Sequence, residues 1–188
     1  MRIVGGRLKG RRLDAPKGGD IRPTSDRMRQ AVFNILEHAF GDYELTGAVV
    51  LDLFAGTGAL GLEALSRGAA HATFVDDDPH ALSSVKGNAS ALGVWRQATL
   101  LKVDAARLPP PPLAARAPCR LAFLDPPYKS GLAAPALAGL AARGWIGEGA
   151  LCVAEWAAGE PFRPPAGFAA VDERTYGSGR VAFLVHSP

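Results

Sequence analysis

Val49-Val50-Leu51-Asp52-Leu53-Phe54-Ala55-Gly56-Thr57-Gly58-Ala59-Leu60-Gly61 is an apolar run that passes directly into a glycine-rich loop. The first six residues, apolar except for Asp52, read as a buried parallel strand. Gly56, Gly58 and Gly61 have the spacing G-x-G-x-x-G, and a helix-like stretch from Leu60 to Arg67 follows. Such a loop brings backbone N–H groups and a helix N-terminus close to a ligand. The next strand ends at Asp76, twenty residues after Gly56. A carboxylate there is placed to grip ribose hydroxyls.

On either side of this stretch, strand and helix signals alternate. Strands are expected at 48–54, 71–76, 97–102, 121–124 and 149–155, with helices at about 59–67, 79–92 and 131–143. Asp78 is a candidate N-cap, with Pro79 in the first helical position. Alternation of this kind predicts a parallel sheet with right-handed crossovers and helices on both faces. After residue 155 the pattern changes: Phe168–Thr175 and Arg180–His186 read as two strands about the turn Tyr176-Gly177-Ser178-Gly179. Upstream, Thr24 or Ser25 is a candidate cap for a helix running to about Phe40, its apolar face formed by Met28, Val32, Phe33, Ile35, Leu36 and Phe40. Residues 1–22 read as a small basic β extension, with strands Arg2–Val4 and Arg7–Leu13 around Gly5-Gly6. The expected organisation is therefore an extension over 1–22 and an α/β domain with a mostly parallel twisted sheet over 23–188.

Size and charge narrow the function classes. A length of 188 residues suits one domain, and no apolar run reaches membrane-span length, so a soluble cytoplasmic protein is expected. Cys119 and Cys152 belong to no metal-spacing motif; they are expected to be free thiols, and no metal site is expected. Residues 1–30 hold nine Lys/Arg and three Asp, whereas the remainder holds twelve Lys/Arg and fifteen Asp/Glu. A basic arm on a mildly acidic body points to a polyanionic partner.

The second decisive motif is Asp125-Pro126-Pro127-Tyr128, directly after the apolar run Leu121-Ala122-Phe123-Leu124. Two prolines stiffen the strand end and leave carbonyls without local donors. The result is a ledge with one carboxylate, outward carbonyls and an aromatic ring, the groups that a planar base with an exocyclic amine requires. The glycine loop and Asp76 alone also fit a nicotinamide dinucleotide. That alternative leaves Asp52 and the Asp-Pro-Pro-Tyr ledge unexplained, and a row of carboxylates repels pyrophosphate. S-adenosylmethionine, with a ribose, an amino group and a cationic centre, accounts for both. The candidate cofactor contacts are Asp52, Phe54, Ala55, Gly56, Thr57, Gly58, Asp76, Asp104 and Ala105. Among them Asp52 shapes the loop, Asp76 holds ribose, and Asp104 accepts the adenine amine or, alternatively, serves only as a turn residue.

These motifs resemble the class I S-adenosylmethionine-dependent methyltransferases, with Asp52-Leu-Phe-Ala-Gly-Thr-Gly58 as their first motif. Asp125-Pro-Pro-Tyr128 resembles the motif of the amino-methylating branch. Met1 to Leu13, Arg22 to Arg29 and Ala31 to Leu36 are similar to the N-terminus of one bacterial family, the 16S ribosomal RNA (guanine-N2)-methyltransferases. The resemblance runs from residue 1 through the hairpin at 176–186. It implies a Rossmann-like fold and methyl transfer to the N2 amine of one guanine. It further implies assembled or partly assembled 30S particles as substrate; a monomer is the default. Asp125, Pro126, Pro127 and Tyr128 become the catalytic candidates, with the target base flipped onto Tyr128. Arg2, Arg7, Lys9, Arg11, Arg12, Lys17, Arg22 and Lys129 become the RNA contacts. Departures are small: the family often has Glu where Asp76 stands, and the stretch after Asp104 is rich in Pro and Ala.

Two other classes remain: a DNA adenine-N6 methyltransferase, for whose target-recognition region the chain has little room, and a non-catalytic RNA-binding protein. Blander assignments complete the reading. Arg22 and Thr24 order the helix entry or touch cofactor or RNA. Arg27 and Arg29, near a helix start, oppose the macrodipole, as residues left by a site for an anionic ligand would. Trp95, Trp145 and Trp156 are expected to be packing residues, and the four histidines are assigned no chemistry.

Overall fold

The computed structural model describes residues 1–15, 26–40 and 45–187. Seven strands form one sheet: β1 (Val49–Leu53), β2 (His71–Asp76), β3 (Ala98–Lys102), β4 (Cys119–Leu124), β5 (Ile146–Ala157), β6 (Phe168–Tyr176) and β7 (Gly179–His186). Their order is β3-β2-β1-β4-β5-β7-β6. The first five run parallel, and β7 and β6 are antiparallel additions at one edge. The helices are α1 (Asp26–His38), α2 (Ala59–Ser66), α3 (Pro79–Ala91) and α4 (Ala133–Ala142). From α1 onward every strand and helix read from the periodicity is present among the described residues. The main shift in bounds is β5, which begins earlier and ends later than the expected 149–155. Asp78 caps α3 as expected, its Oδ1 accepting from His80 N at 2.8 Å. The cap expected for α1, Thr24 or Ser25, lies outside the described residues.

Side chains alternate across the sheet and make two cores. On one face Val50, Phe74, Phe123 and Phe183 pack under α1, α2 and α3, with Phe33 and Phe123 rings 5.4 Å apart. On the other face Leu51, Leu53, Val75 and Leu124 pack with Leu137, Leu140 and Trp145. Period-two alternation thus sends Asp52 to the α2 side while Leu51 and Leu53 go to the α4 side. Both cysteines are free and buried, and burial pushes the Cys119 thiol up to about 12. No helix among the described residues is long and apolar enough to cross a membrane.

The N-terminal arm differs from expectation. Instead of two strands around Gly5-Gly6, it has a 3-10 turn at Gly6–Leu8 and a single bridge between Arg2 and Arg12. The paired segments are closed by Ile3 N to Arg11 O at 2.9 Å, Gly10 N to Ile3 O at 2.8 Å and Leu13 N to Met1 O at 3.0 Å. The reason is α2. A surface helix normally keeps one polar face in water, but α2 is buried on nearly every side, including Glu63 and Ser66. The arm covers its outer face: Ile3, Leu8 and Leu13 join the core, and Val4 N and Leu8 N donate to Glu63 Oε2 (2.8 Å) and Ser66 Oγ (3.0 Å). Making those bonds takes turn geometry rather than two regular strands.

Arg29 is also reassigned. It is fully buried and donates to the Arg2 carbonyl and to Asp26 Oδ1 (2.8 Å), with its Nε 3.6 Å from Glu63 Oε2. It is a structural cation, not a mark of an anionic ligand. Glu63 is the shared anion of this network, since Arg67 Nε donates to its Oε1 at 2.8 Å. Glu63→Ala is therefore expected to destabilise the protein by about 3–5 kcal/mol, because two arginines lose their buried counter-charge. Urea unfolding measures the loss, and hydrogen exchange should show residues 1–13 loosening first; a change below about 1 kcal/mol would contradict this account.

Candidate active site

The strand order reverses between β1 and β4, and an open parallel sheet binds its ligands outside the carboxyl ends at such a point. Register makes the two motifs neighbours. Leu53 pairs with Leu124, and Asp125 N reaches Leu53 O at 3.4 Å, so the glycine loop and the proline ledge emerge side by side. On the other flank Leu53 pairs with Val75, and Ala55 N donates to Val75 O at 3.0 Å. Phe54 turns the chain out of β1 with φ 65°, a costly conformation for an aromatic residue and one typical of functional loops. Gly61 answers a packing demand: a Cβ there would run into the Phe74 ring, so α2 lies directly on β2.

The predicted cofactor carboxylates divide by environment. Asp52 is 1% exposed and sits beneath the loop, its Oδ2 accepting from Gly61 N at 2.8 Å. Burial pushes its carboxyl up from 3.8 to about 8; the Gly61 N–H opposes that push, and the charges of Asp125 and Asp76 add to it. Asp52, Asp76 and Asp125 therefore share one field. Asp76 accepts from Gly56 N (2.8 Å) and Asp78 N (3.0 Å), which ties the glycine loop to the end of β2. Burial raises its pKa, and the two N–H donors lower it. Asp104 accepts from Ala106 N at 2.9 Å and caps a 3-10 turn, the turn role being observed directly. Ala105, next to it, is buried.

On the ledge Pro126 is buried, Pro127 is exposed, and Tyr128 is half-buried. Two residues that the motif reading missed hold it in place. Tyr128 Oη donates to Glu155 Oε1 at 2.6 Å, near the end of β5. Gly179 opposite leaves room for this bond, since a Cβ there would lie 2.5 Å from Tyr128 Oη. Glu160 accepts from both Lys129 N and Gly131 N at 2.8 Å and clasps the loop after the ledge, where Lys129 has φ 62°. The one sequence signal for Glu155 was a lone carboxylate closing an apolar strand.

The predicted RNA contacts lie elsewhere, apart from Lys129, which is exposed beside the ledge. Arg2, Arg7, Lys9, Arg11 and Arg12 are exposed on the arm. Lys17, Arg22 and Thr24 fall outside the described residues. Asn88 joins arm to site: it bonds Asp14 N and Asp14 O, and its Nδ2 donates to Thr57 O at 3.1 Å.

Asp52 makes stability depend on pH. Its folded pKa lies above the unfolded value, so its contribution is full below about pH 4 and gone once pH has passed about 8. Asp52→Asn, which retains an acceptor for Gly61 N–H, should melt above wild type at pH 9, with the gap narrowing steadily as pH falls toward about 4. Parallel melting curves across that range would refute the assignment.

The model of the family described as Conserved hypothetical protein 95 matches residues 1–185. Ribosomal RNA small subunit methyltransferase D of Escherichia coli (strain K12) is 37% identical over 156 residues, covering 82% of this chain and 74% of that protein. The solved structure of yhhF from Escherichia coli aligns with a TM-score of 0.80 at 31% identity, over 100% of this chain and 98% of that one. An RNA methyltransferase from Salinibacter ruber in complex with S-adenosyl-L-homocysteine, at 15% identity, shares the fold, with a TM-score of 0.62 over 88% of this chain and 94% of that one. With a class I methyltransferase sheet and a match over nearly its whole length, the chain belongs to the Conserved hypothetical protein 95 family.

Proposed function

We propose that the chain transfers a methyl group from S-adenosyl-L-methionine to the exocyclic N2 amine of a guanine in 16S ribosomal RNA. The proposed substrate is the assembled or partly assembled 30S subunit, acted on in the cytoplasm by a monomer. The observation that carries this reading is the β1–β4 register, which sets the Asp-Pro-Pro-Tyr ledge directly beside the glycine loop. Family membership with an rRNA methyltransferase supports it.

The donor set fits the cofactor. The Asp76 and Asp125 carboxyls flank the loop on either side of β1, which favours a cationic ligand and disfavours pyrophosphate, while Asp52, its carboxyl pushed up to about 8, braces the loop from below. Gly56 and Gly58, at φ 53° and 77°, hold the loop open beside the start of α2. Asp76 retains acceptor capacity beyond its two backbone bonds and would hold ribose; Asp52 would order the loop from below, and Asp104 with Ala105 would border the adenine. When bound, S-adenosyl-L-methionine supplies an electrophilic methyl carbon on a sulfonium.

The ledge does the rest by positioning. The flipped guanine stacks on the Tyr128 ring, whose plane is set by the bond to Glu155. The Asp125 carboxylate and the Pro126 carbonyl accept hydrogen bonds from the amine and turn its lone pair toward the methyl donor. Asp125 or water then receives the proton that becomes acidic once the nitrogen is alkylated. Residues 1–22 act as an RNA-contact extension of the 23–188 domain, with Arg2, Arg7, Lys9, Arg11, Arg12, Lys17, Arg22 and Lys129 on phosphates.

Transfer of labelled methyl to unmodified 30S particles, naked RNA and naked DNA, followed by mass mapping of the product nucleotide, tests the function; methyl found on DNA adenine would overturn it. Asp125→Ala should lower turnover about 100-fold or more while cofactor affinity holds. Tyr128→Ala should cost about 1–3 kcal/mol of substrate stacking, and Tyr128→Phe less, since it keeps the ring. Equal loss of cofactor binding in Asp125→Ala would break this division of roles.

Deleting the arm is a poor test of its charge, because Ile3, Leu8 and Leu13 are core residues. Replacing exposed Lys9 and Arg12 by alanine avoids that. The slope of log affinity against log salt should fall by roughly one for each phosphate that is no longer neutralised. An unchanged slope would remove the arm from the RNA interface.

A further inference from the structure

Residues 1–13 and 79–103 contain no Asp or Glu and carry eight lysines and arginines between them. The fold packs these two stretches together: Leu8 and Leu13 share a core with Val85, Ala89 and Val94. Arg7 donates to Gln97 Oε1 at 3.2 Å, above the 3-10 turn Trp95–Gln97. Arg11 donates to Ala91 O at 2.7 Å, at the last residue of α3. In their midst Trp95 is 41% exposed, whereas Trp145 and Trp156 are 0% and 3%. The expectation that all three tryptophans are packing residues therefore fails at Trp95.

Trp95 is presented, not frayed. Val94 beside it is 1% exposed and anchors the backbone, and Lys86 Nζ lies 5.9 Å from the Trp95 ring centre. A half-exposed indole forgoes burial free energy, while an open aromatic face ringed by cations is what a nucleobase and its phosphates bind. The position is separate from the cofactor crevice. Trp95–Gln97 enters β3 at its amino end, and the five residues of β3 span about 16 Å to the carboxyl edge where Asp76 and Asp104 sit.

We propose that Trp95, with Lys86, Arg96, Arg7 and Arg11 around it, is a second RNA-contact site, a stacking platform for one unpaired base with the cations on the flanking phosphates. It rests on the proposal that the substrate is RNA, and it adds a docking point at the sheet edge opposite the ledge.

A single-stranded RNA of mixed sequence, about 12 nucleotides long, serves as the probe. It should quench the emission of the exposed tryptophan in wild type, and Trp95→Ala should abolish the quench and weaken binding about tenfold. Trp95→Tyr should bind within about threefold of wild type, which separates stacking from loss of fold. Lys86→Ala with Arg96→Ala should lower affinity and flatten the salt dependence, while Arg143→Ala at the far end of α4 changes neither. Absence of a quench in wild type, or full affinity in Trp95→Ala, overturns the platform. If wild type still methylates RNA in that case, the proposed function stands without it; if wild type methylates no RNA, the function itself falls.

Discussion

The pairing of β1 with β4 is the constraint on which the site depends. Neither motif forms a pocket alone: one is a loop over buried Asp52, the other a stiff chain end with a ring. Parallel register brings Leu53 level with Leu124, so both elements leave the sheet at one height and on adjacent strands. A slip of one residue would send Asp52 to the opposite face and break its bond to Gly61 N. The apolar residues of β1 and β4, divided between two cores, make that slip costly.

A second constraint acts through α2. Its N-terminus abuts the glycine loop, and its body is buried because the N-terminal arm covers it. Glu63 and Ser66 sit where a surface helix would place solvated residues, and they serve the arm's backbone instead. Arg29 and Arg67 then supply the charge that a buried glutamate requires. The arm, the first helix and the glycine loop thus form one polar assembly, with Asn88 as a further tie to Thr57. Basic side chains are exposed on the arm's outer surface while its apolar side chains hold the fold.

Much of this was legible from residues alone. Strand and helix identity followed from period and punctuation, and the two chemical motifs are contiguous, so their internal geometry is local. What escaped was set across the sheet. Glu155 and Glu160 hold the Tyr128 loop from the β5 end, about thirty residues along the chain. The arm's turn geometry follows from α2, not from Gly5-Gly6. Trp95 looked like a packing residue because composition cannot tell a tryptophan beneath a helix from one that precedes a strand at the rim.

Sequence by itself determined the order of elements, the glycine loop, the proline ledge and the sign of the arm's charge, because each rests on bonds and sterics within a few residues. Tertiary structure decided which carboxylate is buried and which is open, which glutamate orients the tyrosine, and which acid-free stretches meet around an exposed indole. Those outcomes depend on strand register and on the layer each side chain enters, and both are settled only when distant segments pack.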